Sequence, residues 1–151
     1  MGGIPLCLQV HGCSLSNNDA SNNYPVIRYA DVILMYAEAL NQNGKTAEAC
    51  KYLNMTRRRG FGYQTTETSP VDLQTTDKAQ FALMVEQERR VELAFENHRW
   101  FDLIRTGRAV EVMKSKGFSL NETNLICPIP QKQIDVNPKL TQNDYRIESR
   151  N

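Results

Sequence analysis

The chain has 151 residues, with 18 Lys and Arg against 17 Asp and Glu for a net charge of +1. That near-balance excludes a global field aimed at nucleic acid or an anionic membrane. No apolar run approaches the ~18 residues that a spanning helix needs, and the length fits one domain or part of one.

Residues 1–23 read as an irregular leader or a cut end. They lack a basic segment followed by a long apolar one, so they do not form a secretory signal, and Ser14 to Asn23 is rich in loop-favouring Ser and Asn. Order is expected from Tyr24, where Pro25 holds the preceding residue extended. A first helix is predicted from Val26 or Tyr29 to Gln42. Ala30, Ile33, Ala37 and Leu40 make one face, while Val32, Met35, Tyr36 and Ala39 make most of the other. Asp31 and Glu38 leave only a narrow polar strip, so the helix reads as central and buried.

Asn43-Gly44 ends that helix. A second begins at Thr46, the expected cap, and runs to about Arg58 before Gly60. The short connection forces an antiparallel pair, with Ala37 and Ala49 at its closest approach, as in a tetratricopeptide hairpin. One such unit cannot bury both of its faces, so it must pack on something else. Phe61 to Thr76 is a long polar loop, in which Phe61 and Tyr63 are expected to tuck against the helix pair.

Asp77 caps a third helix. Its stripe of Phe81, Met84, Val85, Val91 and Phe95 also carries Glu88 and Glu92, one turn apart, with Glu86, Arg89, Arg90 and Glu96 nearer the margins or opposite. Two carboxylates on a core-facing side need partners or a chemical job. A retaining glycosidase holds such a pair ~5–5.5 Å apart, but it needs an open cleft. The packing side therefore favours buried ion pairs, the candidate cations being Arg28, Arg58, Arg99 and Arg105. His98 with Asp102 one turn on could be a general base, yet no nucleophile motif accompanies it. Trp100, flanked by Phe101, Leu103 and Ile104, reads as a core anchor before a sugar platform. Arg28, Glu88, Glu92, His98, Arg99, Trp100, Asp102 and Arg105 thus form an expected structural ionic and aromatic junction.

After a break at Glu96 to His98, short helices are predicted over 100–105 and 108–116, and a polar turn over 118–124. An extended run follows over 125–131, with one helical turn from Gln131 to Val136. The tail over 146–151 is expected to be loose. Cys50 and Cys127 sit in apolar settings, Cys7 and Cys13 lie in the leader, and no Cys, His and Asp grouping has metal-ligand spacing. No phosphate-cradling or nucleotide motif is present, so no cofactor is expected.

Three ordered blocks, 28–54 (RYADVILMYAEALNQNGKTAEACKYLN), 86–107 (EQERRVELAFENHRWFDLIRTG) and 127–143 (CPIPQKQIDVNPKLTQN), resemble the C-terminal part of SusD/RagB-type proteins. The resemblance runs over about 24–145. It implies an all-α, tetratricopeptide-like helical hairpin packed on further helices, with irregular loops and an extended C-terminal segment. It further implies a non-enzymatic nutrient-binding protein, with a glycan as the expected nutrient, lipid-anchored at the bacterial outer-membrane surface. The implied partner is a SusC-like TonB-dependent transporter, and this chain would be a fragment of the binding protein. Two readings of other classes stand beside it: a tetratricopeptide-type protein adaptor, and a glycoside hydrolase using Glu88 and Glu92.

Overall fold

The structure, a computed structural model, describes residues 26–144 and the backbone of 14–16 and 19–20. The expectations for Pro25, Cys7, Cys13 and the tail over 146–151 lie outside the described residues. Within the leader, β1 (Ser14–Ser16) pairs antiparallel with β2 (Asp19–Ala20), a short ladder where only loop was expected. Two strands of this length carry no core, and the body of the protein is all-helical. The chain divides into two compact units, Met1–Arg99 and Trp100–Asn151.

In the first unit, α1 (Tyr29–Gln42), α2 (Thr46–Gly60) and α3 (Lys78–Glu92) pack around one core. Gly44 takes a positive φ of 76° in the turn between α1 and α2, where a side chain would be strained. Leu34, Ala37, Ala49, Leu53 and Phe81 are buried there, with Leu40, Cys50 and Val85 around them. The small Ala37 and Ala49 both lie in the hairpin's shared core. Thr46 does not cap α2, however. Lys45 holds the cap position, and the Thr46 hydroxyl instead donates to Asn41 Oδ1 at 2.8 Å, joining the two helices side to side. Asp77 caps α3 as expected, its Oδ1 accepting from the amides of Ala79 and Gln80.

Two expectations fail here. α1 is not buried all round: Val32, Met35 and Tyr36 remain exposed on the side away from the core. The α3 stripe also stops early. The helix ends at Glu92, Phe95 and Asn97 adopt positive φ (68° and 62°), and Phe95 turns outward with Val91. A reversal of backbone hand re-aims every later side chain, so a 100° periodicity cannot be carried past it.

α4 (His98–Arg105) spans the boundary between the units. In the second unit, Thr106-Gly107 leads into α5 (Ala109–Ser115), and a 3-10 turn follows over Glu122–Leu125. Asn121 and Asn124 cap that turn reciprocally. α6 (Gln131–Val136) closes the sequence of helices. The extended run before α6 is held by side-chain amides: Gln142 bonds both backbone groups of Ile129, and Asn143 donates to the carbonyl of Cys127. Cys127 is exposed, not set in apolar surroundings as expected, whereas Cys50 is buried.

Candidate functional site

The three consecutive arginines at the end of α2 organise the polar face of the first unit. Neighbours on a helix point ~100° apart, so their guanidinium groups reach different targets. Arg57 donates to Glu88 at 3.1 Å and to the Val71 carbonyl at 2.6 Å. Arg58 forms a two-point pair with Asp72 and donates to the Thr65 carbonyl. Arg59 bridges to Glu92. Of the four candidate cations, Arg28 meets Glu92, whereas Arg58 turns to Asp72 and its neighbours Arg57 and Arg59 reach the paired glutamates.

Glu92 also receives Arg28 from the start of α1 at 2.5 Å, and Arg28 Nε lies 2.9 Å from both oxygens of Glu96. Burial alone would lower the Arg28 pKa, but hydrogen bonds to Glu96 and Glu92 outweigh it and hold the pKa raised. Glu88 is 8% exposed, and burial pushes its carboxyl up from the ordinary value. Arg57 opposes that shift, and the neighbouring Glu92 adds to it. Asp72 behaves oppositely: the Arg58 hydrogen bond, against some desolvation and with help from Ser69, lowers it to about 2.

Residues placed at the margins by periodicity prove central. Arg89 (5% exposed) meets Asp31 (4% exposed) at 2.7 Å, deep between α3 and α1. Glu86 accepts from Arg99 at 3.1 Å. The burial of a helical position depends on what faces it, and a single-helix projection does not show that.

The eight junction residues divide between the units. Arg28, Glu88, Glu92 and Arg99 enter the ion pairs above, and His98 opens α4 half-buried. In the second unit, Arg105 donates to Asp102 Oδ1 at 3.0 Å, and Asp102 and Leu103 are buried. Trp100 is partly exposed and Phe101 more so, which corrects the core-anchor reading.

The C-terminal part of the long polar loop, residues 71–75, is held along α2. Asn54 bonds both the amide and the carbonyl of Leu73, and Cys50 Sγ lies 3.5 Å from the Thr75 carbonyl, while Asn41 of α1 donates to the carbonyl of Lys78 at the start of α3. Backbone groups that a strand partner would satisfy are met by side chains. Phe61 and Tyr63 stay exposed rather than tucked in, although the Arg57 guanidinium stacks 5.1 Å from the Phe61 ring centroid. A cavity of about 570 Å³ opens between α2 and this loop, lined by Cys50, Lys51, Asn54, Asp72 and Thr75. Another of about 340 Å³ lies between α1 and α2, lined by Ile33, Met55, Thr56 and Arg59. Among the described residues, no three His, Cys, Asp or Glu side chains are grouped to hold a metal. No helix among them is long and apolar enough to cross a membrane.

An α-helical hairpin backed by a third helix, with its polar face locked by arginine–carboxylate pairs, defines a tetratricopeptide-like helical scaffold. The family model described as the SusD family matches residues 9–145, and the chain belongs to that family. It is 37% identical over 134 residues to SusD-like protein P38 of Formosa agariphila, covering 88% of this chain and 26% of that protein. SusD-like protein P25 of the same organism is 35% identical over 131 residues, covering 82% of this chain and 24% of that protein. The crystal structure of a SusD homolog from Bacteroides thetaiotaomicron superposes with a TM-score of 0.71 at 38% identity, over 89% of this chain and 29% of that one. The chain thus spans about a quarter of the length of these relatives.

Proposed function

We propose that this chain is part of a non-catalytic nutrient-binding protein of a SusC/SusD-type uptake system, with a glycan as the nutrient. In this reading the whole protein is held at the outer-membrane surface by a lipid anchor and works with a SusC-like TonB-dependent transporter. The observation that carries the reading is the family match over residues 9–145. The ion pairs support it, because Glu88 and Glu92 are each engaged by arginine instead of facing a cleft. A glycoside hydrolase needs free carboxylates on either side of a sugar ring. The adaptor reading has less support as well, since the polar face of α2 already holds the chain's own residues 65–75.

The test uses the full-length protein, with oligosaccharides of varied linkage. Affinity electrophoresis and calorimetry are expected to show saturable binding to at least one glycan, with no reducing ends released on prolonged incubation. Fractionation is expected to place the protein in the outer membrane with the transporter co-purifying. Turnover abolished by Glu92→Gln would overturn the reading, as would a full-length protein that binds no glycan and no transporter.

A further inference from the structure

The break between α3 and α4 is not written into the local sequence. No Gly or Pro lies between Asp77 and Gly107, and Glu92 to Glu96 (ELAFE) is built mostly of good helix formers. Yet α3 stops at Glu92, and Phe95 and Asn97, on either side of Glu96, take φ of 68° and 62°. That region is costly for a residue with a Cβ, and Phe95 recovers nothing by burial, since it is 72% exposed. The compensating contacts are ionic, and one guanidinium supplies them. Arg28 Nε lies 2.9 Å from each oxygen of Glu96, Nη1 lies 2.5 Å from Glu92 Oε1, and Nη2 donates to the Glu92 carbonyl. In an unbroken helix that carbonyl would accept from the Glu96 amide, which here bonds to the Leu93 carbonyl at 3.2 Å instead. Beyond the break, Arg99 reaches back to Glu86 at 3.1 Å although the two are 13 residues apart. On a straight helix that separation is about 20 Å.

The segment is thus helical by composition and bent by one contact from α1. We propose that residues 93–97 form a two-state bend for which Arg28 is the latch. With Arg28 seated, α3 ends at Glu92 and the chain folds back. With Arg28 withdrawn, the Glu92 and Glu96 carboxylates lose the cation they share, and their repulsion opens the turn. Phe95 and Asn97 then return to helical φ, and α3 runs on through His98. That state sets Glu92 and Glu96 a full turn apart and parts Arg99 from Glu86. Arg59 does not substitute for the latch, because it bridges to Glu92 and leaves Glu96 to Arg28. The latch is also reachable from solvent: the Arg28 side chain is 22% exposed and forms part of the wall of the 340 Å³ cavity. The device is independent of what the protein binds.

Hydrogen exchange read by mass spectrometry tests the latch in the longer SusD-like polypeptide that contains this sequence. Peptides over 93–99 are followed, with peptides over α2 as the internal reference for any general loss of stability. In Arg28→Gln, the amides of 94–98 are expected to exchange about tenfold more slowly relative to that reference, because a continuous helix gives each an i−4 carbonyl. Glu96→Gln weakens the same latch from the other side and is expected to shift them in the same direction by less. Faster exchange over 94–98 would mean that the turn simply unravels, and unchanged exchange in both variants would mean that Arg28 does not hold it. Either result overturns the proposal. Glycine rescue separates a latch from a merely structural contact, since Gly takes positive φ without steric cost. Adding Phe95→Gly and Asn97→Gly to Arg28→Gln is expected to return exchange to the parental rate. A triple variant as protected as Arg28→Gln alone would overturn the proposal as well.

Discussion

The Asp31–Arg89 pair is a deeply buried ionic contact of the first unit. Both side chains are 6% exposed and meet at 2.7 Å, joining α1 to α3 across the core. Asp31→Ala leaves the Arg89 guanidinium in a site built for its carboxylate, and removing one partner of such a pair costs about 3–5 kcal/mol. Against a total stability on the order of 5–15 kcal/mol, that removes a large fraction of the margin. At this chain length it corresponds to about 2–4 °C of Tm per kcal/mol. Urea unfolding of Asp31→Ala and Arg89→Ala, fitted with a common slope, is the measurement. The double variant Asp31→Leu/Arg89→Met is expected to recover most of the loss, because apolar groups of similar volume remove both desolvation penalties at once. Glu48→Ala serves as the control, since its pairing with Lys45 is exposed and 3.9 Å long and is worth well under ~1 kcal/mol. Single variants at Asp31 and Arg89 that behave like that control would refute the argument.

Ala49→Phe is expected to overpack the α1–α2 core and cost about 1–3 kcal/mol, and an unchanged thermal melt would contradict the packing of Ala49 at 0% exposure. Glu88 has a raised carboxyl pKa, so its contribution to stability is full below its unfolded value of about 4.3. It is lost as pH rises through the folded value. Glu88→Gln should therefore flatten the stability profile between the unfolded and folded values, and curves for parent and variant that stay parallel across that window would count against it. Asp72 has the opposite sign: its pKa is lowered to about 2, so its contribution is present above an unfolded value of about 3.9 and disappears as pH falls through the folded one. Asp72→Asn should remove the corresponding acid-induced loss between about pH 4 and pH 2, and an unaltered acid limb would exclude that assignment.

The end of α1 and the start of α3 were legible because they rest on local chemistry. Asp77 caps by side-chain oxygen, and Gly44 supplies the backbone hand that ends a hairpin helix. The end of α3 was not legible in the same way. Between Asp77 and Gly107 no Gly or Pro interrupts the chain, and the break turns on Phe95 and Asn97 at positive φ. Asn97 was the one available signal, since Asn tolerates that region better than most residues. Phe95 offered none, and tertiary context overrides its preference. The identity of each ion pair was hidden for another reason. Periodicity gives the face of a residue on its own helix, but Arg89 is buried because Asp31 on α1 meets it there.

The same geometry explains why two glutamates one turn apart on a packing face do not amount to a catalytic pair. Arg57, Arg58 and Arg59 are adjacent in sequence and therefore diverge in space, which lets one turn of α2 address α3 twice and the 61–76 loop in between. A catalytic pair would have to flank a sugar ring, whereas here both carboxylates are occupied by arginine side chains. Burial raises the pKa of Glu88 despite Arg57. Its oxygens nonetheless lie against α2, with the loop backbone at Val71 held by the same guanidinium. A sugar ring would have to displace that arginine and unseat the loop together. The arrangement joins two helices and a long connection through three adjacent arginines.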